Sequence, residues 1–146
     1  MLKRGHGWFT NGRSQFLDSN PEAWEPTAKV FVKLRISGLS RVLLAQIDTG
    51  AAWSVLSPEI AREAGVAVYD GSPVSLSSRI GQIQGHIVRI PYTLVADEGE
   101  SLHSEGSFFI PASWPQRRLF LGYSGLLDSI RFALDPQLND FYFGPY

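Results

Sequence analysis

The chain has 146 residues, 44% of them hydrophobic and 18% charged, with a net charge of −1. These values suit one soluble globular domain with its own core and exclude a disordered or fibrous chain. Near-neutrality gives no electrostatic reason to expect nucleic acid or an anionic membrane as partner. The lack of cysteine excludes disulfides, thiolate metal sites and a cysteine nucleophile.

Met1 to Gly7 is basic but has no apolar stretch behind it, so it does not read as a secretory signal. No window approaches the roughly 18 apolar residues that a membrane span needs, and a cytoplasmic protein is expected. Residues 1–27 show no sustained periodicity; Phe9, Phe16, Leu17 and Trp24 are their strong apolar anchors. An irregular N-terminal arm is expected there, open to being a removable pro-segment or a regulatory arm. The domain proper is expected over residues 28–146.

Val30, Val32, Leu34 and Ile36 alternate with Phe31, Lys33 and Arg35, the period of a half-buried strand. After the turn Ser37 to Ser40, the apolar run Val42 to Ile47 returns and ends at Asp48. Trp53 to Ser57 is expected as a short strand. A short helix follows, with Ser57 as N-cap, Pro58 in the first helical position and Gly65 at its stop. Val66–Tyr69, Val74–Arg79 and Gly85–Val95 are further strand candidates, and Asp97 to Glu100 is a polar turn. Phe108–Pro111 and Arg118–Leu121 continue the β pattern. A second short helix is expected over Gly125–Ile130, then strands over Arg131–Leu134 and Phe141–Phe143. Many short strands and two short helices predict an all-β fold with a closed or strongly curled sheet.

The triplet Asp48-Thr49-Gly50 consists of turn formers, and taken alone it is a turn. Its surroundings change that reading. Leu43, Leu44 and Ile47 precede it, and Ala51, Ala52, Trp53, Val55 and Leu56 follow. A carboxylate enclosed by core-like sequence costs stability unless something pairs with it or uses it, and a carboxylate in a cleft suits acid–base chemistry. Thr49 offers a hydroxyl to tie the loop to neighbouring backbone. Gly50 permits close approach and offers its N–H to the carboxylate.

Ile47-Asp48-Thr49-Gly50-Ala51 resembles the active-site loop of the aspartic peptidases, in particular the retropepsin-like branch. Ile80-Gly81-Gln82-Ile83-Gln84-Gly85-His86-Ile87 resembles the family's flap hairpin, with Ile83 at the tip. Leu119-Phe120-Leu121-Gly122 and the following Leu126 to Ile130 resemble its apolar-apolar-Gly signature and C-terminal helix. The pieces occur in the family's order between Val30 and about Phe143, leaving the arm uncovered. The resemblance implies a curled or closed acid-protease barrel with a flap and one or two short helices. It implies Asp48 as catalytic residue, Thr49, Gly50 and Ala51 as its loop, and Ile80, Gly81, Gln82, Ile83, Gln84 and Gly85 as substrate-binding flap. Where the family often carries an acidic residue and an Arg that pair, this chain has Ala52 and Tyr123.

Aspartic peptidases use two carboxylates that share a proton. Asp70-Gly71 and Asp128-Ser129 lack the triplet, so the second carboxylate is expected from Asp48 of another copy, in a twofold homodimer. The expected activity is endopeptidase cleavage of polypeptide by water activated between the two Asp48 side chains. Ala51 lacks the hydroxyl that a Ser would direct toward the carboxylates, so a pH optimum milder than strongly acidic is expected. The rival is a catalytically silent, dimeric peptide-binding or scaffold domain on the same fold.

Other chemistries find little support. His6, His86 and His103 lack metal-ligand spacing, there is no phosphate-binding Gly-Lys loop, and Gly122-Tyr123-Ser124-Gly125 is not a nucleophile elbow. No metal and no cofactor is expected. Ser124 reads as a helix-start residue, Trp53 and Trp114 as packing or pocket lining, and Arg117-Arg118 as a solvated strand or loop end.

Overall fold

The computed structural model describes residues 1–20, 29–79, 81–114 and 119–146. Trp24, Ile80, Arg117, Arg118 and the expected boundary near residue 27 lie outside them. The arm contains β1 (Lys3–Arg4), β2 (Gly7–Trp8) and β3 (Gly12–Gln15). Then come β4 (Phe31–Ile36), β5 (Leu43–Ile47), β6 (Ser54–Val55), α1 (Pro58–Glu63) and a 3-10 turn (Val68–Asp70). β7 (Ser72–Ser78), β8 (Gly81–Leu94), β9 (Glu98–Gly99), β10 (Leu102–Pro111) and β11 (Leu119–Leu121) follow. A second 3-10 turn (Leu127–Ser129), β12 (Ile130–Asp135) and β13 (Asp140–Pro145) close the chain.

Alternation places the strands as expected. Val32, Leu34 and Ile36 of β4 are fully buried while Arg35 points outward. Phe31 departs from that pattern and is buried as well, because Leu17 of the arm pairs with it across a β-bridge. Strands β10, β6, β11, β5, β4 and β8 hydrogen-bond in that order, and β8 pairs back with β10. The result is a closed six-strand barrel, in which closure leaves no free edge. Its interior holds Leu34, Leu56, Leu94, Phe108, Ile110 and Leu121, and Phe141 and Phe143 join the same cluster from below.

Helix α1 starts as read. The Ser57 hydroxyl accepts from Ile60 N–H at 3.3 Å and Pro58 occupies the first turn. Two expectations fail. Val66–Tyr69 is not a strand: Val66 in the irregular link after α1 and Val68 at the start of the 3-10 turn pack on the core, leaving Tyr69 89% exposed. The helix expected over Gly125–Ile130 is a 3-10 turn of three residues, closed by the Asp128 carboxylate accepting from Gly125 N–H at 2.9 Å. Ile130 already belongs to β12.

The arm is more regular than its sequence suggests. β3 pairs with β13 and β9 in a second sheet ordered β12-β13-β3-β9. Charges bind it there. Arg13 meets the buried carboxylate of Asp140 at 2.9 and 2.8 Å and Glu98 at 2.6 Å. Asp97, read as part of a solvated turn, accepts from Gln15 N–H at 2.8 Å and from Lys33 at 2.6 Å. No helix among the described residues is long and apolar enough to cross a membrane.

Candidate active site

Asp48 stands at the end of β5, where the chain crosses from β5 to β6. The short strand β11 lies between those two. It runs parallel to β5, from Leu119 opposite Ala45 to Leu121 opposite Ile47, and antiparallel to β6 at Phe120 and Val55. The Asp48 loop therefore passes over the end of a strand from another part of the chain. Asp48 N–H donates to Leu121 C=O at 3.0 Å, and Ala51 N–H returns to Asp48 C=O at 3.1 Å.

Inside this loop Gly50 N–H donates to the Asp48 carboxylate, at 3.1 Å to Oδ1. The carboxylate is half-buried, and Thr49 and Gly50 are exposed. A carboxylate held by a backbone donor beside open solvent keeps its second oxygen free for water or a ligand.

The segment after β11 holds the loop from below. Gly122 N–H donates to the buried Ser54 hydroxyl at 3.0 Å, Tyr123 N–H to Ala51 C=O at 2.9 Å, and Ser124 N–H to Ala52 C=O at 2.8 Å. Gly122 is required sterically, because a Cβ there would overlap the Trp53 carbonyl. At Ala52 and Tyr123, where the family often places a side-chain ion pair, backbone hydrogen bonds make the clasp. Ser124 sits in a parallel bridge with Trp53 and does not start a helix. Trp53 is half-buried, and Trp114 packs edge-on against Phe120 with ring centroids 6.3 Å apart.

The second group of predicted site residues lies on the β7–β8 hairpin. Its register runs from Ser72 opposite Ile87 to Ser78 opposite Gly81, and the Ser78 hydroxyl donates to Gly81 C=O at 2.9 Å. The turn therefore lies between Ser78 and Gly81. Ile83 is not the tip residue; it stands in β8 opposite Leu76. The faces separate cleanly. Val74, Leu76 and Ile83 are half-buried on one side. On the other, Gln82 bonds to the Ser75 and Ser77 hydroxyls, and Gln84 Nε2 donates to Ser75 at 3.0 Å. Gly85 lies at the root, where a Cβ would come 2.7 Å from the Phe109 ring, so β8 passes β10 there without a side chain between them.

Two residues escaped the sequence reading. Leu76 completes the apolar face with Ile83, and its signal was the period-2 pattern Val74-Ser75-Leu76-Ser77. Ser54, the buried acceptor for Gly122, was signalled only by a lone hydroxyl among Trp53, Val55 and Leu56. No group of three or more His, Asp or Glu side chains that could hold a metal occurs among the described residues.

No protein-family model and no curated protein matches the sequence. Solved structures do match. A retropepsin-like aspartic protease from Rickettsia conorii superposes with a TM-score of 0.58 at 14% identity, over 90% of this chain and 98% of that one. The retroviral protease-like domain of Ddi1 from Leishmania major superposes with a TM-score of 0.52 at 18% identity, over 81% of this chain and 94% of that one. The chain has the retropepsin-like fold. Identity this low carries the fold alone.

Proposed function

We propose that the chain is an aspartic endopeptidase whose active species is a homodimer, each copy contributing one Asp48. The observation that carries this reading is the Asp48 carboxylate itself, fixed by Gly50 N–H on a loop clamped over β11 and half open to solvent. Two such carboxylates brought together cannot both ionise easily, so they share one proton. The ionised member takes a proton from a water held between them, and that water attacks the peptide carbonyl. The protonated member donates to the carbonyl oxygen, and the leaving nitrogen is then protonated. The β7–β8 hairpin serves as the flap, its Leu76 and Ile83 face turned to apolar substrate side chains and its Ser–Gln face to solvent.

The docking surface assigned to the second copy is a sheet edge. Among the described residues, strand β12 is an edge of the sheet β12-β13-β3-β9, paired on one side only. It carries Arg131, Phe132, Ala133 and Leu134, with no Pro, Lys or bulge to block pairing. It also begins directly after the turn whose Leu127 and Asp128 N–H groups bond to Gly122 and Tyr123 beneath the Asp48 loop. Pairing β12 with its copy about a twofold axis extends the sheet, and the turn beside β12 ties that interface to the Asp48 loop. The test is cleavage of an unbiased peptide library by the wild type and by Asp48→Asn, alongside sedimentation at assay concentration. Cleavage by the Asp48→Asn chain, or an active monomer, would overturn the reading.

A further inference from the structure

A pocket of about 480 Å³ opens at the root of the β7–β8 hairpin, and Asp48 does not line it. Its apolar walls come from Pro58 of α1, Val66 and Val68 before β7, and Ile110 and Pro111 at the end of β10. The volume lies within the range of ligand pockets, and the walls suit an apolar side chain.

The polar groups are few and lopsided. Arg62 of α1 lines the pocket and makes no ion pair among the described residues, while its neighbour Glu63 is taken by Arg41 at 2.7 Å. His86 lines the pocket from β8, with the ring of Tyr69 edge-on to it at 5.4 Å. Asp70 lines the pocket too, but it also faces an adjoining hollow of about 550 Å³ to which neither Arg62 nor His86 contributes. Apart from the shared Asp70, its polar side chains are thus a cation, an imidazole and the Tyr69 phenol. An unpaired guanidinium beside an apolar wall is best satisfied by a carboxylate.

The pocket is joined to the hairpin through the backbone. His86 pairs with Ile110, Gly85 with Pro111, and Ala112 N–H donates to Gln84 C=O at 2.8 Å. By alternation along β8, His86 stands on the same face as Gln82 and Gln84, so the pocket opens on the side of the hairpin away from Leu76 and Ile83.

We propose that this pocket is an accessory subsite for polypeptide on the outer side of the hairpin, taking an apolar side chain with a carboxylate beside it, the carboxylate held by Arg62. Its effect on cleavage rests on the peptidase reading above; binding itself does not. The carboxylate has two sources, an acidic side chain or a chain terminus.

Calorimetry on the full Asp48→Asn chain separates them with ten-residue peptides in matched pairs. One pair carries Leu-Asp or Leu-Asn; the other ends in Leu as free acid or carboxamide. At least one acid binds about tenfold more tightly than its neutral match, a difference of about 1.4 kcal/mol. Arg62→Glu abolishes that preference and Arg62→Lys keeps part of it; Arg62 is exposed, so neither change touches the core. Equal affinities within both pairs, or a preference that survives Arg62→Glu, overturn the proposal. An Arg62-dependent preference in a chain that cleaves nothing leaves the subsite standing and removes the peptidase reading alone.

Discussion

Gly122 lies so close to Trp53 that any side chain on it would overlap the Trp53 carbonyl. That approach lets Gly122 N–H reach the buried Ser54 hydroxyl at 3.0 Å, so strand β11 and the Asp48 loop are locked by one steric and one polar relation. Gly122→Ala forces the two backbones apart and is expected to destabilise by about 1–3 kcal/mol. Ser54→Ala leaves a buried N–H without its acceptor and is expected to cost about 1–3 kcal/mol. Urea unfolding measures both. Either variant with wild-type stability would show that this contact does not hold the loop.

Asp48→Asn keeps the shape of the side chain and removes its capacity to act as base or acid. Peptide cleavage is expected to fall by about a thousandfold or more, while unfolding and peptide affinity stay near wild type. The same experiment separates the enzyme from a silent binding domain. A wild type that binds peptide and cleaves nothing in the library is the silent module.

Strand existence and the carboxylate were readable from sequence because both depend on local pattern. The β4 alternation, the Ser57-Pro58 helix start and the run ending at Asp48 each carry their signal within a few residues. What was hidden depends on partners far along the chain. Gly12 to Gln15 lacks strand periodicity, yet Arg13 finds Asp140 at 2.9 Å across a separation of 127 residues. Val66 to Tyr69 has strand-like residues, but Val66 and Val68 reach the core from an irregular link and a 3-10 turn. The hairpin register was misread because a glycine on either side made Ile83 look like the tip. Pairing of Ser78 with Gly81 moves the turn upstream and adds Leu76 to the apolar face.

The two faces of the β7–β8 hairpin predict a split in effects. Ile83→Ser or Leu76→Ser removes apolar contact on the side assigned to substrate. Each is expected to raise KM for apolar peptides by roughly tenfold or more, following the 1.5–3 kcal/mol gained on burying such a side chain. Gln82→Ala acts on the opposite side, where it breaks bonds to Ser75 and Ser77, and is expected to change KM less. Steady-state kinetics on one apolar peptide decides; a larger effect from Gln82→Ala would reverse the assignment of faces.

The Lys33 ammonium at 2.6 Å, helped by Gln15 N–H at 2.8 Å, holds the Asp97 carboxyl below the usual carboxylate range. The folded state therefore favours the charged form. This contribution is fully present above the unfolded pKa, about 3.9, and is lost as pH falls through the lower folded value. The pair is partly exposed, so the effect is expected to be below about 1 kcal/mol. Melting curves should show Asp97→Asn less stable than wild type near neutral pH, with the gap closing as Asp97 protonates. A gap that widens on acidification would contradict the sign.

The absence of cysteine makes the dimer testable one residue at a time. If β12 pairs antiparallel with its copy, positions near the twofold axis face their own equivalents, and cross-strand Cβ atoms fall within disulfide reach. Phe132 and Ala133 are the central residues of β12, whereas Glu98 lies on β9 at the far edge of the same sheet. Under mild oxidation, Phe132→Cys or Ala133→Cys should give a covalent dimer on a non-reducing gel, and Glu98→Cys should remain monomeric. Sedimentation of the unmodified chain gives an independent reading. A dimer by sedimentation with cross-linking only at Glu98→Cys would keep the homodimer and move its interface away from β12. A monomer at every concentration that supports cleavage would remove the second Asp48, and the shared-proton mechanism with it.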